Sequence, residues 1–350
     1  MNETDVRDRL RTVSDPDLGD DIVSLGLVND VTVDDDTVYV SLALGAPYSP
    51  HETAIADEVR EVLSDFDRDL TLSADVETAD DLDRDEQVLP DVTNIVAVAS
   101  GKGGVGKSTV SVNLAAGLAD MGASVGLFDA DVYGPNVPRM VDADQHPEAT
   151  PEDTIVPPEK FGMKLMSMAF LVGDDDPVIW RGPMVHQILT QLWEDVEWGH
   201  LDYLVVDLPP GTGDTQLTLL QSLPLAGSVI VTTPQEVALD DARKALRMFG
   251  KHDTPVLGIV ENMSSFHCPD CGSDHAIFGE GGGRRFADEV DMPFLGELPL
   301  DPRVREGGDS GRPVVLDQES ATGDAFRAMV ANVANNTGIV RRRQHQQATR

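Results

Sequence analysis

One stretch of ten residues limits the architecture of this chain more than any other: Ser100-Gly-Lys-Gly-Gly-Val-Gly-Lys-Ser-Thr109. It contains the pattern G-x-x-x-x-G-K-S from Gly101 to Ser108. Glycines at 101, 103, 104 and 106 let the backbone curl until successive N–H groups point inward, a concavity suited to phosphate oxygens. An apolar β-branched run, Ile95–Ala99, comes before it, and helical spacing begins at Lys107. Strand, glycine loop and helix in that order place the positive end of a helix against the bound anion. The pattern assigns Lys107 to the β- and γ-phosphates of a nucleotide and the Ser108 hydroxyl to Mg²⁺, with Val105 and Thr109 completing the loop.

The flanking sequence extends this unit. Apolar runs at Val125–Asp129, Lys164–Met168, Tyr203–Asp207, Ser228–Thr232, Val256–Glu261 and Phe294–Leu298 read as strands. Helical segments are expected at Lys107–Met121, Met184–Asp195, Thr215–Gln221 and Leu239–Phe249. Such alternation predicts an α/β fold, a mostly parallel, doubly wound sheet covered by helices on both faces. In that fold ligands gather at the carboxyl ends of strands, which is where Asp129, Asp131, Asp207 and Asn262 fall.

Residues 1–73 predict a separate small α/β domain. Its elements are a short helix at Val6–Val13, strands at Val28–Val33 and Thr37–Leu44, a helix at His51–Leu63 and a last strand at Leu70–Val76. Residues 74–92 are acidic and poor in large apolar groups, the composition of a linker. The nucleotide-binding domain is expected over 93–340, and the polar residues 341–350 are expected to form a frayed tail.

Charge excludes several partners. Against 62 acidic residues there are 26 basic ones, a net charge of −36. So negative a field repels nucleic acid and anionic lipid. It matches a surface kept hydrated by carboxylates in high salt, so a halophilic source is expected. Only six residues are Lys, and two of them, Lys102 and Lys107, lie in the glycine loop. The first residues are charged, with no apolar signal core, and no apolar run is long enough to span a membrane, so a cytoplasmic location is expected.

The chain has two cysteines, Cys268 and Cys271, in His267-Cys-Pro-Asp-Cys-Gly272. A C-x-x-C pair chelates one metal centre and supplies half of a four-thiolate site. Three readings compete: a redox pair, a zinc site completed by His267 or His275, and a cluster shared by two subunits.

Several segments carry a family resemblance. Lys102, a second lysine within the loop, resembles the deviant-Walker group of MinD, ParA, the nitrogenase iron protein and the Mrp carriers. Trp180-Arg-Gly-Pro-Met184, Val206-Asp-Leu-Pro-Pro-Gly-Thr-Gly-Asp214, Glu261-Asn-Met-Ser264, Cys268-Pro-Asp-Cys-Gly272, Ile277-Phe-Gly-Glu-Gly-Gly-Gly283 and Leu295-Gly-Glu-Leu-Pro-Leu300 all resemble the Mrp/ApbC iron–sulfur cluster carriers. The resemblance implies an ATP-hydrolysing homodimer that takes a cluster from a donor and passes it to apoproteins. Lys102 would reach the partner's nucleotide, Asp131 would orient the attacking water, Asp129 would support Mg²⁺ and Asp207 would hold it through water. Asn262 would read adenine, and Cys268 and Cys271 would bind a [4Fe–4S] cluster bridging the dimer. A MinD/ParA-like positioning ATPase with structural zinc is the alternative. In the small domain, Asp15-Pro16-Asp17 and Ser24-Leu-Gly-Leu27 resemble PaaD-like cluster-assembly domains. That family often has a cysteine where this chain has Ser49, which leaves a docking role rather than a thiol role.

Overall fold

The computed structural model describes all residues except 1, 67, 77–87, 172–181, 269–270 and 350. The chain divides into two compact units, residues 1–87 with 334–350, and residues 88–333.

In the smaller unit the order is α1 (Glu3–Leu10), β1 (Val28–Val33), β2 (Thr37–Leu42), α2 (Pro50–Leu63) and β3 (Asp69–Ala74). The strands form one sheet, β1-β2-β3, with the first pair antiparallel and the second parallel. Alternate residues of β2 (Val38, Val40 and Leu42) turn inward onto Val6 and Leu10 of α1 and Ile55, Val59 and Leu63 of α2. The periods of two and of about 3.6 visible in the sequence therefore define this core. Of the expected linker, residues 77–87 lie outside the described residues.

The larger unit begins with β4 (Val92–Ser100), α3 (Lys107–Asp120), β5 (Val125–Asp129) and α4 (Val137–Met140). Three two-residue strands follow, β6 (Glu148–Ala149), β7 (Ile155–Val156) and β8 (Glu159–Lys160), and then β9 (Met163–Ser167) and α5 (Gly182–Glu194). Next come β10 (Leu201–Asp207), α6 (Asp214–Ser222), β11 (Leu225–Thr232), α7 (Glu236–Lys251), β12 (Val256–His267) and β13 (Asp274–His275). The last elements are α8 (Gly282–Glu289), β14 (Phe294–Leu300), α9 (Pro302–Ser310) and α10 (Ala321–Ala348). The main sheet runs β13-β12-β11-β4-β10-β5-β9-β8, and β14 also pairs with β12. All of its pairings are parallel except β8 with β9 and β12 with β13. This is the mostly parallel, doubly wound α/β fold that the alternation predicts. Strands such as β4 and β5 are buried on both faces, and their sequences are accordingly continuous apolar runs.

The C-terminus differs from expectation. Residues 341–348 do not fray; they are the end of α10. Phe326, Met329, Val330 and Val333 are buried in the earlier part of that helix, and residues 334–350 belong to the smaller unit. The polar sequence concealed this because its anchor is ionic. Arg342 is fully buried and forms ion pairs with Asp15 (2.8 Å), Asp17 (2.7 Å) and Glu52 (2.5 Å). Burial pushes the Glu52 carboxyl up, and the Arg342 guanidinium draws it back down. Replacing Arg342 with Met should destabilise the small unit by about 3–5 kcal/mol, since the buried Asp15 and Glu52 and the half-buried Asp17 lose their cation. Urea unfolding checks this, and an unchanged midpoint would show that the pairs contribute nothing.

Ser49 lies beneath the same helix. It caps α2, is fully buried, and donates to Asn335 Oδ1 at 2.9 Å. That position is thus covered by the chain's own C-terminal helix.

Candidate nucleotide site and cysteine hairpin

The site starts where β4 ends. Beyond Ser100 the chain enters the glycine loop, and α3 follows from Lys107. Gly106, the residue before the helix, has φ +84° and provides no side-chain cap. The first-turn amides of α3 are therefore left for an anion, as a phosphate site requires. A side chain at Gly106 would collide with the Asn262 amide, and one at Gly101 with the backbone of Asp241 in α7. Over Gly103 and Gly104 the space is open.

Register builds the rest. Asp207 at the end of β10 lies beside Asp129 at the end of β5, which lies beside Ser167 at the end of β9. Lys107 Nζ is 2.8 Å from Asp207 Oδ1, and Ser108 Oγ donates to Asp207 Oδ2 at 2.6 Å. Ser111, one turn further along α3, donates to Asp207 Oδ1 at 2.6 Å. Asp129 accepts from Ser167 Oγ at 2.9 Å, Val137 N at 3.1 Å and Asp131 N at 3.2 Å. Burial, together with the negative charge of Asp207, pushes Asp129 up to about 7. Two buried carboxylates share one lysine here, and a divalent cation relieves such an excess of negative charge. With the Ser108 hydroxyl, these hard oxygen donors fit Mg²⁺.

Asp131 is almost fully buried, and its Oδ1 accepts the N–H groups of Tyr133 and Gly134, both at 3.3 Å. Burial raises its pKa and Lys107 opposes the rise. Lys102 is half-buried; its carbonyl accepts from Ser100 Oγ, and among the described residues its ammonium makes no ion pair. Thr109 begins the second residue pair of α3, its carbonyl accepting from Asn113 at 2.8 Å. Asn262 donates through Nδ2 to the Val105 carbonyl at 2.8 Å and accepts the Met263 N–H at 2.9 Å. In this structure it holds the glycine loop with the amide group expected to read a base.

The cysteines lie in the hairpin between β12 and β13, where Phe266 pairs with His275 and His267 with Asp274. Cys268 N donates to Ser273 O at 3.0 Å, and Gly272 N to Cys268 O at 2.9 Å, closing the turn. Cys268 is half-buried and Cys271 exposed. Hydrogen bonds from Ser273, then from His275 and Cys268, lower Cys271 to about 6, which favours the thiolate that binds metal. The ligand atoms of Cys268, Cys271 and His275 all lie within 4.8 Å of one another. The side chain of His267, the other histidine considered, lies outside the described residues, as do Trp180 and Arg181.

Sequence reasoning passed over Ser111 and Ser167. Ser111 follows Lys107 by one helical turn, and this spacing was the available signal. Ser167 becomes visible only through the pairing of β9 with β5.

Comparison with known proteins agrees with this geometry. Residues 91–334 match the model of the NUBPL iron-transfer P-loop NTPase, and residues 3–69 match that of the iron-sulfur cluster assembly protein. The chain belongs to the NUBPL iron-transfer P-loop NTPase family. The iron-sulfur cluster carrier protein of Synechocystis is 45% identical over 94% of this chain and 96% of its own length. The iron-sulfur cluster transfer protein NUBPL of Mus musculus is 50% identical over 65% of this chain and 72% of its own. Among solved structures, the nucleotide-binding protein of Archaeoglobus fulgidus, in complex with ADP and with cobalt found in it, is 38% identical. That match covers 70% of this chain and 96% of the other, with a TM-score of 0.60.

Proposed function

We propose that the protein is an ATP-hydrolysing carrier that receives an iron–sulfur cluster from a donor and transfers it to apoproteins. One observation carries the reading: a single sheet bears both a phosphate site around Lys107, Ser108 and Asp207 and, at the end of β12, a hairpin with the chain's two cysteines. The family relatives named as carriers support it.

ATP occupies the glycine loop of residues 101–109. Lys107 neutralises the transferring phosphate, and Asp131 orients water for attack. Ser108 and Asp207, with Asp129 behind them, would hold Mg²⁺, which would supply positive charge beside the phosphates. Asn262 exchanges its contact with Val105 for the adenine base. Two subunits associate, so that Lys102 of each meets the other's nucleotide, and Cys268 and Cys271 of both hold one [4Fe–4S] cluster as cargo. The protein works in the cytoplasm, away from nucleic acid and membrane; no helix among the described residues is long and apolar enough to cross one. The smaller unit, with Ser49 buried at the cap of α2, serves in docking.

Anaerobic reconstitution tests the reading. Bound iron, acid-labile sulfide and a visible spectrum should appear, and the cluster should pass to an apo-ferredoxin. A protein that binds ATP yet takes up no cluster would overturn it. One observation favours a second reading. His275 gives each subunit a third donor beside the two sulfurs, enough to hold a single structural divalent ion in a positioning ATPase. One tightly held zinc per monomer, with no iron, would establish that alternative.

The net charge of −36 carries a further prediction. The surface is adapted to high salt, so raising KCl should screen carboxylate repulsion and raise the melting temperature by several degrees. A flat or falling series of melting temperatures would remove the halophilic reading.

A further inference from the structure

Strand β12 leads from the phosphate loop to the cysteine hairpin, and its middle is irregular. Glu261, paired with Thr232, is the last residue in register with β11. Asn262 pairs with Leu298 of β14, and the register then slips before Phe266 meets Leu300. Between them Met263 has φ +58°. That left-handed conformation is strained for an L-residue and persists only where its surroundings enforce it.

The two side chains before the break hold different partners. Asn262 grips the phosphate loop at the Val105 carbonyl, and the same side chain accepts the N–H of the strained Met263. Glu261 Oε2 accepts the N–H of Gly283 in the first turn of α8, 22 positions further along the chain, closing a loop that contains both cysteines. Glu261 is fully buried, and among the described residues its Oε1 has no hydrogen-bond partner. Glu297 faces it across the β12–β14 pair, and Arg285 is the nearby cation. A buried carboxylate with an unused oxygen is unfavourable for stability, and the backbone at Gly281 and Gly283 is what holds this one in place.

We propose that residues 261–263 form a joint coupling the phosphate loop to the cysteine hairpin, with Glu261 the positioning residue that clasps the two ends of the cysteine-bearing loop. The proposal rests on the carrier reading of the same two sites. Nucleotide entering the site draws the Asn262 amide off the Val105 carbonyl it now holds. The strained turn at Met263 then shifts, and Glu261 carries the shift to the first turn of α8. Both ends of the hairpin segment move together, which alters the spacing of donors at Cys268 and Cys271.

The experiment reads coupling apart from either activity. Co²⁺ affinity at the cysteines is measured from its thiolate charge-transfer absorption, with and without a non-hydrolysable ATP analogue. In the wild type the two affinities should differ by about fivefold or more, the lower range of allosteric coupling. Glu261→Ala should bring the ratio to about one while ATP turnover and nucleotide-free Co²⁺ affinity stay within about threefold, below the 1.4 kcal/mol of a tenfold change. Glu261→Gln keeps an acceptor for Gly283 and should keep most of the ratio. Gly283→Ala presses a methyl group onto Glu261, 2.8 Å from its Cβ, and should lower the ratio even if Glu261→Ala folds poorly. A wild-type ratio of one, or the wild-type ratio in both Glu261→Ala and Gly283→Ala, overturns the joint. Failure of the carrier reading is seen separately, as wild-type protein that assembles no cluster.

Discussion

Replacing Lys107 with Ala should abolish ATP turnover, lowering it by about a hundredfold or more, the scale on which a preorganised charge-stabilising donor acts. The lysine has two tasks in the structure. It starts α3 at the mouth of the glycine loop, and its ammonium lies 2.8 Å from Asp207 in a site closed to solvent. Phosphate charge developing in such a site has few other cations to meet. Without Lys107 the Asp207 and Asp129 carboxylates face one another unbalanced, so part of the effect would be on stability. Lys107→Gln, which keeps most of the side-chain length, separates the two, since its turnover should fall as far while more of the melting temperature survives. Asp131→Ala should behave differently. Its carboxylate holds the turn at Tyr133 and Gly134. Nucleotide binding should stay within about threefold of wild type while turnover falls by about a hundredfold, as expected on losing a group that positions water. Wild-type hydrolysis by Lys107→Ala would mean that the nucleotide site lies elsewhere.

The sequence revealed the parallel sheet because its strands are buried on both faces, and continuous apolar runs mark such strands whatever their order. β5 begins and ends where its apolar run does, at Val125 and Asp129. The glycine loop was equally legible, since its backbone geometry restricts the residues that can form it. The contacts between loop and sheet were not legible. Asp207, Asp129 and Ser167 line up through strand order, which a linear pattern does not encode. Asn262 was picked out at its strand end, but its grip on Val105 depends on how closely β12 approaches the glycine loop. The end of α10 was misread for another reason. Hydrophobic periodicity detects helices that bury apolar faces, and this one is fixed by Arg342 among Asp15, Asp17 and Glu52. Those carboxylates are separated from it in sequence by almost the whole chain.

Changing either cysteine to Ser should remove bound iron and cluster transfer while leaving ATP binding intact. The chain has only Cys268 and Cys271, so one subunit cannot build a four-thiolate site, and two-fold symmetry doubles two thiolates to four. The hairpin suits this use. Its backbone closes through Cys268 N to Ser273 O and Gly272 N to Cys268 O, so closing the turn does not use the thiols. Cys271 is exposed and lowered to about 6, ready to bind as thiolate. Serine oxygen is a poor substitute because iron in these clusters prefers the softer sulfur. The phosphate loop lies elsewhere in the sheet, so ATP binding by the variants should stay within about threefold of metal-free wild type, below the 1.4 kcal/mol of a tenfold change. Anaerobic iron and sulfide analysis should give about four iron atoms per dimer for the intact protein, as a [4Fe–4S] cluster requires. His275 provides the control. Under the shared-cluster reading His275→Ala keeps most of the iron, because the four sulfurs remain. Under the single-ion reading it loses the metal along with its third donor. Iron that survives in Cys271→Ser, or a metal that depends on His275 and is indifferent to dimer formation, would defeat the shared cluster.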